Sequence, residues 1–122
     1  MHELSVALSL VELAGEHARR LNGARILVLH VRIGRLSGVV KEALEFSFDA
    51  AAEGTPVQGA RLVIEEVPIT VRCADCRADS PVEHPHDVRC PACASSSTTV
   101  VGGRELDLAA LEVSDGNAAA NR

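Results

Sequence analysis

Residues 71–93 read VRCADCRADSPVEHPHDVRCPAC and contain all four cysteines of the 122-residue chain. The cysteines form two C-x-x-C pairs, Cys73 with Cys76 and Cys90 with Cys93, and 13 residues separate the pairs. Each pair can direct two thiolates at one ion, and two pairs complete a tetrahedron of sulfur ligands, which suits zinc. Four protein ligands leave no open coordination position, so we expect structural zinc and not catalytic zinc.

Other chemistries remain open for these cysteines, namely disulfide pairing, a redox C-x-x-C, or iron in a rubredoxin-like site. The stretch between the pairs cannot bury enough apolar surface to fold alone, so a metal would supply stability on the order of 10 kcal/mol, as in small zinc peptides. His84 and His86 lie between the pairs. With four cysteines available, we interpret these histidines as exposed loop residues and keep metal contact as the alternative.

The chain on either side of the cysteines predicts helices and strands. Apolar residues recur at helical spacing over 3–21 and 39–53, and β-branched or alternating patterns predict strands at 25–33, 61–67, 98–101 and 105–113. The residues expected to be buried are Leu4, Ala7, Leu8, Val11, Ala14 and Ala18 in the first helix, Val40, Ala43, Leu44, Phe48 and Ala51 in the second, and Leu27, Leu29, Val31 and Ile33 on one strand face.

The final strand is predicted to return to the first sheet, because Leu106, Leu108 and Leu111 need a core in which to be buried. The fold class is therefore α+β. A two-helix domain with a three-stranded sheet is predicted for residues 1–68 plus 104–113. A zinc-ribbon-like cysteine module, residues 69–103, is inserted into it, and residues 114–122 are expected to be a frayed tail.

The composition restricts the possible functions. Nearly half of the residues are hydrophobic, which permits a real core, but the net charge is −5 and there are only two Phe, no Tyr and no Trp. A nucleic-acid binder would need surplus basic charge or stacking aromatics, so we expect no nucleic-acid partner. No apolar run approaches the length of about 20 residues that a membrane helix needs. The N-terminus lacks the pattern of a signal peptide, so we expect a cytoplasmic protein. The sequence contains none of the common catalytic motifs, so we do not expect an enzyme.

The chain opens with Met1-His2-Glu3. A bulky His2 should disfavour removal of Met1, which leaves a free amine on Met1. That amine, the His2 imidazole and the backbone amides of His2 and Glu3 can reach one ion through fused chelate rings. Deprotonated amides with an imidazole favour square-planar coordination, which suits nickel(II) or copper(II). A His near the start is also common in proteins without any metal role, so this pattern gains weight only from the rest of the chain.

The remaining sequence resembles one family along nearly its whole length. MHELSVALSLVE (1–12), IGRLSGVVKEALEFSFDAAAEGTPVQGARLVIEE (33–66), the two cysteine pairs and GGRELDLAALEV (102–113) occur in the order seen in the HypA/HybF hydrogenase maturation factors. The resemblance implies a nickel chaperone for [NiFe]-hydrogenase. It implies nickel bound at Met1 (amine), His2 (imidazole) and Glu3 (amide or carboxylate). It also implies zinc bound by Cys73, Cys76, Cys90 and Cys93.

The resemblance further implies a HypB-type GTPase partner and delivery of nickel to the hydrogenase large subunit, with urease as a second client in some bacteria.

Two departures from the family pattern concern the cysteine module. Arg77 and Ala94 follow the pairs where the family often has Gly, and the aromatic residues that are common between the pairs are missing from residues 82–88. We expect a monomer or weak homodimer. The alternative function is a zinc-ribbon interaction module without nickel, which would not depend on a free N-terminus.

Overall fold

The computed structural model describes residues 3–114; Met1, His2 and residues 115–122 lie outside the described residues. Ser114, where the tail was predicted to begin, is described and hydrogen-bonds to the backbone of Arg25. The elements in chain order are α1 (Glu3–Arg20), β1 (Ile26–Gly34), α2 (Lys41–Ala52), β2 (Arg61–Val67), β3 (Ile69–Cys73), β4 (Asp79–Val82), β5 (Thr98–Gly102) and β6 (Leu106–Val113). They form two three-stranded sheets, with strand orders β2-β1-β6 and β4-β3-β5. This confirms the α+β class, with the final strand in the first sheet.

Strand β4 was not predicted from the sequence. Its segment, Asp-Ser-Pro-Val, contains Pro81, which cannot donate a backbone hydrogen bond and argues against a central strand. In the structure β4 lies at the edge of its sheet and pairs only with β3, in the antiparallel register Ile69 to Val82 through Arg72 to Asp79. An edge position tolerates proline, which explains why the segment is extended despite its sequence.

The first sheet is mixed. Strand β6 runs antiparallel to β1, because the Ser114 amide donates to the Arg25 carbonyl before β1 begins, while the Gly34 amide at the end of β1 donates to the Glu105 carbonyl. Strand β2 runs parallel to β1, because their C-terminal ends meet, where the Arg35 amide donates to the Val67 carbonyl. Parallel neighbours need a crossover, and α2 provides it.

Among the described residues, the chain forms two compact units. One comprises residues 3–31, 39–64 and 108–114, and the other comprises 32–38 and 65–107. Strands β1, β2 and β6 each contribute residues to both units. The second unit contains all four cysteines.

The core of the first unit uses a different flank of α1 from the one expected. Leu4 and Leu8 were predicted to be buried, but both are about half exposed, and Leu10 is buried instead. Alanines at 7, 14 and 18 form the centre of the buried stripe. Residues in positions 4 and 8 lie on one side of this stripe and position 10 lies on the other, because each residue turns the helix by about 100°. Helical spacing alone does not choose between the two flanks.

Helix α2 buries the row Leu44, Phe48 and Ala52. Of the other residues expected in this stripe, Ala43 and Ala51 are half buried, and Val40 is 56% exposed. Val40 was wrongly predicted as a core residue because it is the N-cap, where the chain has not yet entered the helix. Phe46 points away from the core and is 80% exposed.

Two strand predictions also need correction. Leu29, Val31 and Ile33 of β1 are buried as expected, but Leu27 is 44% exposed. The leucines of β6 are not buried as the sequence suggested: Leu106 is exposed, and Leu108 and Leu111 are half buried. Strand β6 is an edge strand, so its side chains have cover from fewer neighbours than those of a central strand.

The second unit has a small apolar core of Ile69, Val71 and Val82, which Leu36, Val88 and Val100 partly cover. The backbone comes very close to itself at Gly34 and Gly103, where a side chain on Gly34 would overlap the Gly103 carbonyl group. The Leu36 amide donates to that carbonyl at 2.7 Å. Glycine at position 34 is therefore required by packing. Strand β3 leads from this core directly to Cys73.

Candidate metal centre

The first cysteine pair lies in the turn between β3 and β4. The Cys73 amide donates to the Ala78 carbonyl at 3.0 Å, and the Arg77 amide donates to the Cys73 carbonyl at 2.9 Å. Inside this turn, the Cys76 amide points at the Cys73 sulfur at 3.4 Å. A backbone N–H directed at sulfur stabilises the thiolate, so the turn prepares Cys73 for metal binding.

The second pair repeats the same turn. The Cys90 amide donates to the Ser95 carbonyl at 2.9 Å, and the Ala94 amide donates to the Cys90 carbonyl at 2.8 Å. The residue after each pair adopts a left-handed conformation, with φ of 60° at Arg77 and 62° at Ala94. Glycine adopts this conformation without strain, whereas Arg77 and Ala94 carry a steric cost there.

Two contacts connect the turns. The Ala74 amide of the first turn donates to the Ser97 carbonyl at 2.9 Å, and the Ser95 hydroxyl donates to the Asp75 carboxylate at 2.5 Å. The Thr98 hydroxyl donates to the Val88 carbonyl at 2.6 Å and holds the chain before the second turn. Hydrogen bonds from outside the sulfur cluster therefore hold both turns together.

The four sulfur atoms converge on one point. Cys73 and Cys93 are 3.5 Å apart, Cys76 and Cys90 are 3.6 Å apart, and all four sulfurs lie within 4.8 Å of one another. These separations are far longer than a disulfide bond of about 2.05 Å, and all four cysteines are free thiols. A tetrahedron with Zn–S bonds of about 2.3 Å has edges of about 3.8 Å. The separations of 3.5 and 3.6 Å, with all four sulfurs within 4.8 Å, are compatible with it.

The electrostatics of the cluster call for a cation. The Cys76 amide, aided by other hydrogen bonds, lowers the pKa of Cys73 to about 6. The Ser95 amide lowers the pKa of Cys93, but hydrogen bonds with the neighbouring thiols, that of Cys73 first, raise it more strongly, to about 12. Four thiolates this close together repel one another, so they cannot all ionise alone. A soft divalent cation bound between the sulfurs would offset the repulsion among the thiolates, so that all four could be ionised together.

Cys73 and Cys90 are buried, whereas Cys76 and Cys93 are exposed. Within residues 3–114, these four cysteines form the group whose spacing could hold a metal ion. His84 and His86 are exposed and do not belong to it. The arrangement can bind one metal ion through sulfur alone, with solvent reaching one side of the cluster.

Of the predicted nickel ligands, only Glu3 is among the described residues. It is the first residue of α1, is half buried, and its carboxylate accepts a hydrogen bond from the Val40 amide at 3.0 Å. His17 is half buried on α1, and the His30 ring contacts the Glu112 carboxylate at 2.5 Å.

The contact between Glu3 and Val40 was not predicted from the sequence, although the sequence does show that α2 lacks a cap of its own. Helix α2 has Val40 at its N-cap and Ala43 three residues later, where Ser or Thr with Glu or Gln would form a capping box. The free amides at such a helix start need a partner from elsewhere, and here Glu3 provides a partner for one of them.

No helix in the described part of the chain has both the length and the apolar character needed to cross a membrane.

Comparison with known proteins gives a consistent result. The family model described as hydrogenase/urease nickel incorporation, metallochaperone, HypA matches residues 1–113. The hydrogenase maturation factor HypA of Chloroflexus aurantiacus (strain J-10-fl) is 51% identical over 92% of this chain and 98% of the relative. That of Roseiflexus sp. (strain RS-1) is 50% identical over 94% of each chain.

Solved structures agree with these sequence relatives. The solution structure of a HypA protein is similar with a TM-score of 0.72 and 29% identity, covering 94% of this chain and 98% of the other. The solution structure of the nickel metallochaperone HypA from Helicobacter pylori is similar with a TM-score of 0.64 and 30% identity, covering 93% and 97%.

Proposed function

The chain belongs to the HypA family of metallochaperones for nickel incorporation into hydrogenase and urease, and from this premise we propose that it binds nickel(II) at Met1-His2-Glu3. We propose further that Cys73, Cys76, Cys90 and Cys93 hold structural zinc. The nickel is delivered to the large subunit of [NiFe]-hydrogenase together with a HypB-type GTPase. The observation that carries this proposal is the family match, which begins at Met1 and extends through both cysteine pairs.

The zinc assignment is supported by the sulfur geometry. Separations of 3.5 and 3.6 Å between sulfur atoms suit a tetrahedral ion with Zn–S bonds of about 2.3 Å. Zinc is also redox-inactive and favours four thiolates in closed structural sites. When bound, zinc supplies cross-linking between two turns of a unit whose apolar core is small. The cysteines position the ion, and their amide neighbours favour the thiolate form.

The nickel assignment is supported by the position of Glu3 at the first residue of α1. The backbone amides of the first helical turn have no role in the internal hydrogen bonds of a helix. A metal that uses the Glu3 amide nitrogen therefore costs α1 none of those bonds. The Met1 amine, the His2 imidazole and two amide nitrogens would give the square-planar donor set that nickel(II) accepts.

A terminal site also suits the transfer of an ion. Its amine, imidazole and amide donors must lose protons before they bind, so nickel is released as the pH falls or as a competing ligand set approaches. The two metals then have separate roles. Zinc stabilises the cysteine module, and nickel is the cargo.

The proposal is tested by calorimetric nickel titration of untagged, zinc-loaded protein beside His2→Ala and His17→Ala. His17 is a matched control because it lies on the same helix and is not one of the proposed ligands. We expect one nickel per wild-type chain and per His17→Ala chain, loss of nickel in His2→Ala, and the same zinc content in all three. Equal binding by the wild type and His2→Ala would instead favour a zinc-ribbon interaction module.

A further inference from the structure

Helix α2 begins without a cap of its own. Its N-cap residue is Val40, whose side chain has no hydrogen-bonding group, and the backbone there is extended, with φ −87° and ψ 119°. The first α2 hydrogen bond runs from the Leu44 amide to the Val40 carbonyl at 3.0 Å. In a capping box, a Glu or Gln three residues after the N-cap reaches back to the N-cap amide. Here that position is Ala43, which cannot do so.

Glu3 of α1 supplies the missing group. Its Oε2 accepts a hydrogen bond from the Val40 amide at 3.0 Å, although 37 residues separate the two along the chain. The carboxylate also places negative charge at the N-terminus of α2, where the helix dipole favours an anion. One of the two hydrogen bonds of a capping box, the bond to the N-cap amide, is therefore supplied by a residue of another helix, and the two helices pack against each other.

The same residue belongs to the proposed nickel site. The hydrogen bond to the Val40 amide ties the Glu3 side chain to the start of α2, and Glu3 is also the residue whose backbone amide is a proposed nickel donor. We infer that the Glu3 carboxylate is a positioning group: it binds the start of α2, sets the geometry of the nickel-binding terminus, and does not itself bind nickel. This inference rests on the proposed function, since it assumes that nickel binds at the terminus.

The inference has a reciprocal consequence. If the hydrogen bond to Val40 favours nickel binding, nickel binding must favour that hydrogen bond to the same degree. The start of α2 should therefore become better ordered when nickel binds. Amide hydrogen exchange at Val40 should then slow on nickel addition.

The test compares Glu3→Gln with Glu3→Ala in zinc-loaded protein. Glutamine keeps an oxygen that can accept from the Val40 amide but is a poor metal ligand, whereas alanine removes both properties. We expect Glu3→Ala to weaken nickel binding by up to about tenfold, the value reached when the full free energy of one cap is coupled to nickel binding, and Glu3→Gln to recover most of that loss. Glu12→Ala is the matched control, because Glu12 is an exposed carboxylate on the same helix.

The visible absorption spectrum of bound nickel separates positioning from ligation. A positioning group leaves the ligand set intact, so the nickel bands of Glu3→Ala and Glu3→Gln should coincide with those of the wild type. If Glu3→Gln binds as weakly as Glu3→Ala and both shift the bands, the carboxylate is a ligand and the inference is wrong. Wild-type affinity in Glu3→Ala would also overturn it.

Failure of the proposed function looks different. In that case the wild type binds no nickel, or His2→Ala binds it equally well, whatever residue occupies position 3. Far-ultraviolet circular dichroism of each variant reports whether α1 and α2 remain folded. Loss of nickel binding that accompanies loss of helix in Glu3→Ala, without recovery by Glu3→Gln, would contradict the positioning role.

Discussion

Replacing Ala94 with glycine should tighten zinc binding. Ala94 follows the second cysteine pair and adopts φ of 62°. A left-handed conformation costs a non-glycine residue about 1–2 kcal/mol, and glycine loses about 0.5–1 kcal/mol more backbone entropy on folding than alanine. The difference leaves Ala94→Gly about 0.5–1 kcal/mol more stable. Zinc binding and folding of such a module are coupled, so this gain should appear as a two- to fivefold increase, roughly, in zinc affinity.

The matched control is Ala92→Gly, the same chemical change two residues earlier. Ala92 is exposed and is not among the positive-φ residues of the described chain, so glycine there brings only the entropic cost. Its zinc affinity should fall by about two- to fivefold. Arg77→Gly should act like Ala94→Gly, but it also removes a positive charge near the thiolates, so Ala94 is the cleaner site.

Zinc affinity is measured by competition with a chromophoric chelator at fixed pH. The expected result is a shift in opposite directions for the two alanine-to-glycine variants. Weaker binding by Ala94→Gly, or shifts in the same direction, would refute the claim that backbone strain at Ala94 opposes zinc binding.

Three further predictions concern packing, pH and metal removal. Gly34→Ala should destabilise the fold by about 3 kcal/mol or more, because the added Cβ would overlap the Gly103 carbonyl. Gly15→Ala on α1 is the control: the added Cβ has room, so this variant should be as stable as the wild type or more stable. The free energies of unfolding of both variants are measured by chemical denaturation. In the zinc-free chain Cys73 has a pKa of about 6. Above that pH it is already ionised, and below it zinc must displace one more proton, so zinc affinity should fall more steeply under acidification below about pH 6. An unchanged slope from about pH 5 to about pH 7.5 in chelator competition would contradict this. Removing zinc with a chelator should disorder the cysteine module while α1 and α2 persist, which amide nuclear magnetic resonance spectra would show; loss of the helices as well would be the contrary result.

The sequence predicted the parts of the fold that depend on local pattern. Helical spacing located α1 and α2, and β-branched or alternating patterns located β1, β2, β5 and β6. It could not choose which flank of α1 is buried, because Leu8 and Leu10 are equally apolar and only the neighbouring elements distinguish them. It also could not reveal that β6 is an edge strand, so Leu108 was assigned more burial than it has.

The candidate site was predictable for a different reason. The spacing of Cys73, Cys76, Cys90 and Cys93 specifies two identical turns, and the structure brings their sulfurs together. The strained backbone at Ala94 and the contact of Glu3 with Val40 were not predicted. The first depends on dihedral angles, which composition and spacing do not encode. For the second, Val40 and Ala43 indicate that α2 lacks a cap of its own, but the sequence does not identify the residue 37 positions away that supplies the contact.

The central claim, nickel binding by the free N-terminus, is tested most directly by acetylating the Met1 amine and counting bound metal. Acetylation removes one nitrogen donor and leaves the His2 imidazole and the four cysteines chemically unchanged. The account predicts one nickel per chain with the free amine, no tightly bound nickel after acetylation, and one zinc per chain in both forms. Equal nickel content in the two forms would contradict the N-terminal site.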